Sequence, residues 1–234
     1  MIVIGTLVAL LVYINSEKKF NLSVKHEEKV RMSFAFGGLA GLACASVSSW
    51  FIYPELLSYP LLQRIANSGL IFYYGMFGFF LASASLLRIH KMDVCLWLNE
   101  IVPSVLILHA IGRIGCSLAG CCYGQQIAPI TILGMHFTSI PAREIEALCL
   151  FTMFFLFAYK IKKHRLPLYM LSYSIIRFVI EFGRGDNRGR LIFQSISPAQ
   201  TTSICIWIVL SCWAARIMLI RRFSPSGATT QKHK

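Results

Sequence analysis

Two stretches concentrate the groups able to do chemistry. HAIGRIGCSLAGCCYG, from His109 to Gly124, sets one cation, Arg113, among Cys116, Cys121 and Cys122 and glycines at 112, 115, 120 and 124. LYMLSYSIIRFVIEFGRGDNRGR carries Arg177, Glu181 and Arg184 at spacings of four and three, which place them on one helical face. A third stretch, PAREIEALCLF, adds Arg143 and Glu146. A guanidinium is a rigid fork that matches a phosphate. A carboxylate can hold such forks or move a proton, and a thiol beside a cation ionises more readily and becomes a nucleophile. Arg113, Glu146 and the Arg177/Glu181/Arg184 stripe can therefore converge into a polar pocket. Structural ion pairs that fix helix packing are the other reading.

The elements that must position these groups are membrane helices. Of 234 residues, 56% are hydrophobic and 14% charged, with a mean hydropathy of +0.62, too apolar for a soluble domain. Seven apolar stretches, near 1–14, 32–53, 69–87, 94–111, 145–159, 167–183 and 201–220, reach or approach the roughly 20 residues that a helical crossing takes. Backbone satisfaction in lipid favours helices over a barrel here. The first stretch has no positive residue before its apolar core, so it reads as a retained helix with its N-terminus outside, not as a cleaved signal peptide. The inner segments are then 15–31, 88–93, 160–166 and the tail from Arg216. They hold all ten lysines and six of the thirteen arginines, as the positive-inside rule requires.

The expected fold is an all-α integral membrane protein of seven transmembrane helices, N-terminus outside and C-terminus cytoplasmic. One domain covers 1–222, with a small extracytoplasmic lid over 112–143, and 223–234 form a disordered tail. QQIAPITILGMHFTSIP, bounded by Gly and Pro, predicts a hairpin within the lid, where His136 is structural. The net charge of +13 marks the cytoplasmic leaflet. It is split among short segments with no reading module, which excludes nucleic acid as a partner.

The seven remaining cations lie on the outer side and all are arginine: Arg64, Arg113, Arg143, Arg177, Arg184, Arg188 and Arg190. Topology asks for none of them there. They point to an anion, with a phospholipid headgroup the nearest candidate. Solvated loop arginines are an equal reading for Arg64, Arg188 and Arg190. Arg177 is the deepest, and a charge in lipid costs several kcal/mol unless it faces a bundle interior. Several groups read as structural: Tyr74 in an interfacial aromatic belt, His109 as a cap or packing residue, Glu100 with no chemistry, and Cys44, Cys95, Cys149, Cys205 and Cys212 as packing residues, Cys44 in the core. The small-residue run FGGLAGLACAS reads as a close helix contact.

These stretches also carry a resemblance. GRIG at 112–115, closing with Gly120 and YG at 123–124, resembles the GRIGNFxNxExYG signature of the prolipoprotein diacylglyceryl transferase family. SGLIFYYGMFG at 68–78 is similar to its GGxSFHGGLxG, IPAREIEA at 140–147 to its HPxQLYEA, and RFVIEFGR at 177–184 to its RFxxEFxR. The resemblance implies transfer of diacylglycerol from phosphatidylglycerol to the thiol of a lipobox cysteine in a prolipoprotein, with release of glycerol phosphate, on the outer face of the bacterial inner membrane. It implies substrate-binding or catalytic roles for the residues at Arg113, Arg177, Glu146, Glu181 and Gly124.

The departures are informative. Cys116 and Ala119 replace the signature's asparagines and Cys121 its glutamate. Tyr73 and Ile140 stand where the family has histidines. The arginines are kept, while much of the set that would move a proton is not. Tyr73, with an ordinary pKa near 10, is a poor base unless shifted. The catalytic set expected is Arg113, Arg177, Glu181, Tyr73, Cys116 and Cys121. The substrate-binding set is Arg113, Glu146, Arg177, Arg184, Gly124 and Arg143.

The glycines would make a compact turn that presents Arg113. For Cys116, Cys121 and Cys122, packing, a disulfide and a nucleophilic role stay open. C-x4-C-C is not a usual zinc spacing and no nearby histidine clearly completes it, so a metal is the least favoured reading and none is assigned; no cofactor is expected. Three other functions remain in play: a divergent paralogue that moves lipid or headgroup to another acceptor, a thiol–disulfide redox membrane protein, and a non-catalytic lipid binder or transporter.

Overall fold

The computed structural model describes residues 1–21, 23–69, 71–132, 135–186 and 196–223. Its helices are α1 (Ile2–Glu17), α2 (Val24–Ile52), α3 (Leu61–Asn67), α4 (Phe72–Ile89), α5 (Val94–Leu118), α6 (Ala142–Phe155), α7 (Arg165–Glu181) and α8 (Pro198–Phe223). The only strands among the described residues are β1 (Gln126–Ile132) and β2 (Met135–Ser139). Arg188, Arg190 and all of the expected tail but Phe223 lie outside the described residues.

The seven apolar stretches fall on α1, α2, α4, α5, α6, α7 and α8. Four helices are long and apolar enough to cross a membrane: α2, α4, α5 and residues Pro198–Ile220 of α8. The protein is thus an all-helical membrane type, and α5 is its axis. Of the most apolar 18-residue window of α5, 61% is buried, against 22%, 28% and 11% for α2, α4 and α8. Leu39, Leu81, Leu148 and Val209 face outward, as lipid-contacting side chains do. The small-residue run on α2 lets α4 approach closely: a Cβ at Gly41 would lie 2.8 Å from the Gly75 carbonyl oxygen. Cys44, expected in the core, is exposed. It sits at the rim of this contact, where a Cβ at Gly78 would lie 2.7 Å from its Sγ. Cys95, Cys205 and Cys212 are also exposed.

Element ends differ from expectation for physical reasons. α2 begins at Val24 because the Ser23 carbonyl accepts the His26 and Glu27 amides, and Arg31 ties Glu27 (3.0 Å) to Glu17 (2.8 Å). The charged connector is therefore largely helical. The short α3 was not foreseen. α5 runs on through Leu118, so Gly112, Gly115 and Cys116 are helical and not part of an outer loop. Gly115 serves close packing there, since a Cβ would lie 2.9 Å from the Met1 Cβ. α6 is prolonged by a π turn, Leu156–Lys160.

Between α5 and α6, β1 and β2 pair antiparallel, Ile132 opposite Met135 and Gln126 opposite Ser139, with an irregularity between Gln126 and Ile130. Pro129 falls in that gap, where a residue without an N–H is tolerated. At the other end of α5, Glu100 pairs with Arg165 (2.9 Å) and accepts from Ser16 (2.8 Å).

Candidate active site

Three helices meet at one buried carboxylate. α5 presents His109 and Arg113 one turn apart, α6 presents Glu146, and α7 presents Tyr169, Tyr173, Arg177 and Glu181 at four-residue intervals; all are buried. Arg113 Nη2 lies 2.9 Å from Glu146 Oε1, and Arg177 Nη1 lies 3.9 Å from Glu146 Oε2. Tyr173 donates its hydroxyl hydrogen to Glu146 Oε1 at 3.0 Å. Arg177 Nη2 pairs with Glu181 at 2.8 Å along α7. The convergence proposed from spacing and depth is thus a geometric fact for Arg113, Glu146, Arg177 and Glu181.

The arrangement leaves donors over. Arg113 Nε and Arg177 Nη1 have no hydrogen-bond partner among the described residues. An uncommitted buried donor costs roughly 1–3 kcal/mol, and an incoming anionic oxygen removes that cost. Beside the cluster, a cavity of about 300 Å³ opens between α5 and α6, lined by Arg113, Ser117, Arg143, Glu144, Leu148 and Phe151. Its surface is mostly apolar, with two arginines and one carboxylate among the residues that line it, and an apolar cleft with a few polar groups is the usual form of a small-molecule site.

His109 and Tyr173 belong to this site and were missed from sequence. The His109 ring stacks on Phe72 at 3.5 Å and meets Tyr173 edge-on at 4.7 Å. Its Nε2 is 4.0 Å from Glu146, and both ring nitrogens lack hydrogen-bond partners among the described residues. The available signal was register: His109 precedes Arg113 by four, and Tyr173 precedes Arg177 by four.

Other expected residues sit differently. α7 ends at Glu181, so Arg184 is not on its stripe. Instead its backbone bridges to Gly124 and its guanidinium forks onto Asp186, with Nε 2.8 Å from Oδ1. Arg64 donates to the Leu57 and Tyr59 carbonyls and covers Trp50, so it stabilises its own loop. Arg143 donates to the Cys121 carbonyl at 3.1 Å while lining the cavity.

Tyr73 is buried and shares a hydrogen bond with Ser203 of α8 at 2.9 Å; its ring lies against Tyr173. Tyr73→Phe is expected to cost about 1 kcal/mol of stability. It is expected to leave transfer within about tenfold of wild type, since an ordinary phenol is a poor base. Thermal unfolding in detergent and initial rates check both.

Gly124 works through its backbone. Gln125 N donates to Gly183 O, Gly185 N to Tyr123 O and Ile140 N to Gln125 O. A Cβ at Gly124 would lie 2.0 Å from the Ile140 carbonyl oxygen. Gly124→Ala must therefore push apart the joint between the cysteine segment and the end of α7, and a loss of about 1–3 kcal/mol is expected from such overpacking. A lower melting temperature of the purified protein checks it.

All eight cysteines are free thiols. Cys116 lies in the last turn of α5, Gly120 (φ 69°) and Cys122 (φ 58°) turn the chain back, and the sulfurs of Cys116, Cys121 and Cys122 lie within 4.8 Å of one another. A hydrogen bond from Cys116 draws the Cys122 thiol well below the usual thiol range, helped by Arg184 and Arg113 and opposed by burial.

The prolipoprotein diacylglyceryl transferase family model matches residues 1–216. The phosphatidylglycerol–prolipoprotein diacylglyceryl transferase of Clostridium tetani is 28% identical over 217 residues, covering 84% of each chain. The second such enzyme of Clostridium perfringens is 29% identical over 229 residues, 89% of this chain and 85% of its own. That of Leptospira interrogans is 28% identical over 184 residues, 71% of this chain and 56% of its own. With its ordered motifs folded onto one buried arginine–carboxylate centre and a family match spanning nearly its whole length, the chain belongs to the prolipoprotein diacylglyceryl transferase family.

Proposed function

We propose that this chain is a membrane-embedded transferase that takes phosphatidylglycerol and passes its diacylglyceryl group to a prolipoprotein cysteine thiol. The observation that carries this reading is the meeting of Arg113 and Arg177, from separate helices, on Glu146 in the protein interior. In the reaction a thiolate sulfur attacks the glyceryl CH2 and forms an S–C bond. The C–O bond to phosphate breaks, and glycerol phosphate leaves with the electron pair. Negative charge grows on the leaving phosphate, so prepositioned guanidinium donors stabilise the transition state more than the ground state. Glu146 keeps both forks in register and Glu181 steadies Arg177, while the cavity between α5 and α6 admits the lipid sideways.

The proposal includes seven spans (α1, α2 and α4 to α8), the N-terminus outside, and residence in the bacterial inner membrane. Supporting it, the described lysines all fall within 18–29, at 91 and within 160–163, at the junctions of α1 with α2, α4 with α5 and α6 with α7, and the arginine centre lies toward the far end of α5. Within this frame the hairpin is an outer lid, and Arg143 and Arg184 flank the headgroup. The replacements Tyr73, Ala119 and Ile140 favour one second reading, a paralogue with the same lipid donor and another acceptor.

The purified protein, incubated with labelled phosphatidylglycerol and a lipobox peptide, tests both. Peptide lipidation that vanishes with Arg113→Ala supports the main reading. Headgroup release without peptide modification supports the paralogue, and neither product removes both.

A further inference from the structure

We propose that Cys116, Cys121 and Cys122 form a three-thiolate site for a zinc-class cation, with a fourth coordination position open to an incoming thiol. Linear spacing argues against a metal here, but the fold overrides the spacing. Cys116 is held on the last turn of α5, and the chain reverses through Gly120 and Cys122, both at positive φ. For Cys122, a non-glycine residue, that conformation is uncommon. It lets two adjacent cysteines aim at one point.

The three sulfurs lie within 4.8 Å of one another. A tetrahedral zinc with Zn–S bonds of about 2.3 Å needs sulfurs roughly 3.8 Å apart, so the set closes on an ion with a contraction of about 1 Å at most. Two further contacts brace the loop: Cys121 N donates to the Cys116 carbonyl at 3.2 Å, and Arg143 donates to the Cys121 carbonyl at 3.1 Å. Three thiolates on a divalent ion leave one net negative charge. Cys121 is exposed, so the site can be reached from outside the protein.

Three protein ligands leave a place for a fourth, the pattern of reactive and not structural zinc. Cys116 follows Arg113 by three residues on α5, so a ligand in that place sits about one helical turn beyond the phosphate-binding fork. The role proposed for the ion rests on the diacylglyceryl-transfer reading. The acceptor thiol coordinates the ion and releases its proton to solvent. Its sulfur then attacks the glyceryl CH2 as the phosphate ester departs toward Arg113. The thiols supply the activation that neither Glu146 nor Glu181, both committed to arginines, is free to give.

The test uses the full-length protein in detergent with a non-thiol reductant, titrated with Co²⁺ and then Zn²⁺. One cobalt per chain is expected, with a thiolate-to-cobalt charge-transfer band that Zn²⁺ abolishes. Cys116→Ser, Cys121→Ser and Cys122→Ser should each weaken binding by at least about 100-fold, beyond the loss typical of supporting residues. Cys95→Ser, at the far end of α5, should not.

A lipobox peptide with a free thiol should shift the cobalt d–d bands, and its serine analogue should not. No thiolate band, binding indifferent to the three serine variants, or a stable disulfide within the trio in the purified protein overturns the site. A site blind to the peptide thiol overturns the open position. Arg113→Ala separates this from the transferase reading: it should keep the cobalt spectrum while transfer is lost. A wild type that binds cobalt and lipidates nothing removes the transferase reading and leaves the metal site.

Discussion

Arg113→Ala is expected to lower kcat/KM for diacylglyceryl transfer by about 100- to 1,000-fold, the usual cost of removing one prepositioned donor from a charge-stabilising site. Arg113 has two jobs. Its Nη2 is fixed by Glu146 at 2.9 Å, which orients the plane of the fork, and its Nε is uncommitted among the described residues. Its side chain also borders the cavity between α5 and α6, so a headgroup there lies beside a buried guanidinium.

Arg113→Lys keeps the charge and loses the fork. It should recover part of the rate and little of the affinity for the phosphate, because an ammonium is a point charge. Initial rates against phosphatidylglycerol concentration, with both variants beside wild type, measure the effect. An alanine variant within a few-fold of wild type would falsify the headgroup-binding role.

Glu146→Ala has the largest expected effect on stability, a loss of about 3–5 kcal/mol, because it strands two guanidiniums in the protein interior. The carboxylate meets Arg113, Arg177 and the Tyr173 hydroxyl at once, and its own exposure is 2%. Glu146→Gln keeps the shape and loses the charge, so it should fall between. The damage comes from uncompensated charge and not from a lost contact, so E146A/R113A should be less destabilised than the two single losses added together. A double-mutant cycle on chemical unfolding in detergent reads that coupling. Strict additivity would mean the two side chains do not act as a pair.

The legible parts of this protein are those where one physical term dominates. Apolar length gave the cores of all seven long helices, because lipid leaves the backbone few alternatives. Helical register and burial cost brought Arg113, Glu146, Arg177 and Glu181 together, since a deep arginine needs an acidic partner. Close contests hid the rest. Glycines at 112 and 115 suggested a turn, yet α5 continues through them because Met1 packs against the bare backbone at Gly115. Arg184 follows the α7 spacing, but the helix stops and a backbone bridge to Gly124 takes over. Tyr173 and His109 carry only a faint mark, their four-residue register with Arg177 and Arg113; they matter because Phe72 and Glu146 arrive from other elements. The cysteines sit at an unpromising spacing, brought together by two left-handed residues, Gly120 and Cys122.

The two ion-paired layers on α5 have a mechanical consequence. Glu100 is clasped by Arg165 and Ser16 near its beginning, and Arg113 by Glu146 near its end, about 20 Å away at 1.5 Å per residue. A rod bolted at two levels cannot act as a piston, because sliding by even one turn would tear both fastenings and strand four charges in oil. Whatever motion admits a lipid must therefore carry α5, α6 and α7 together at constant depth, and the helices that bear neither fastening, α2, α4 and α8, are the ones left free to swing.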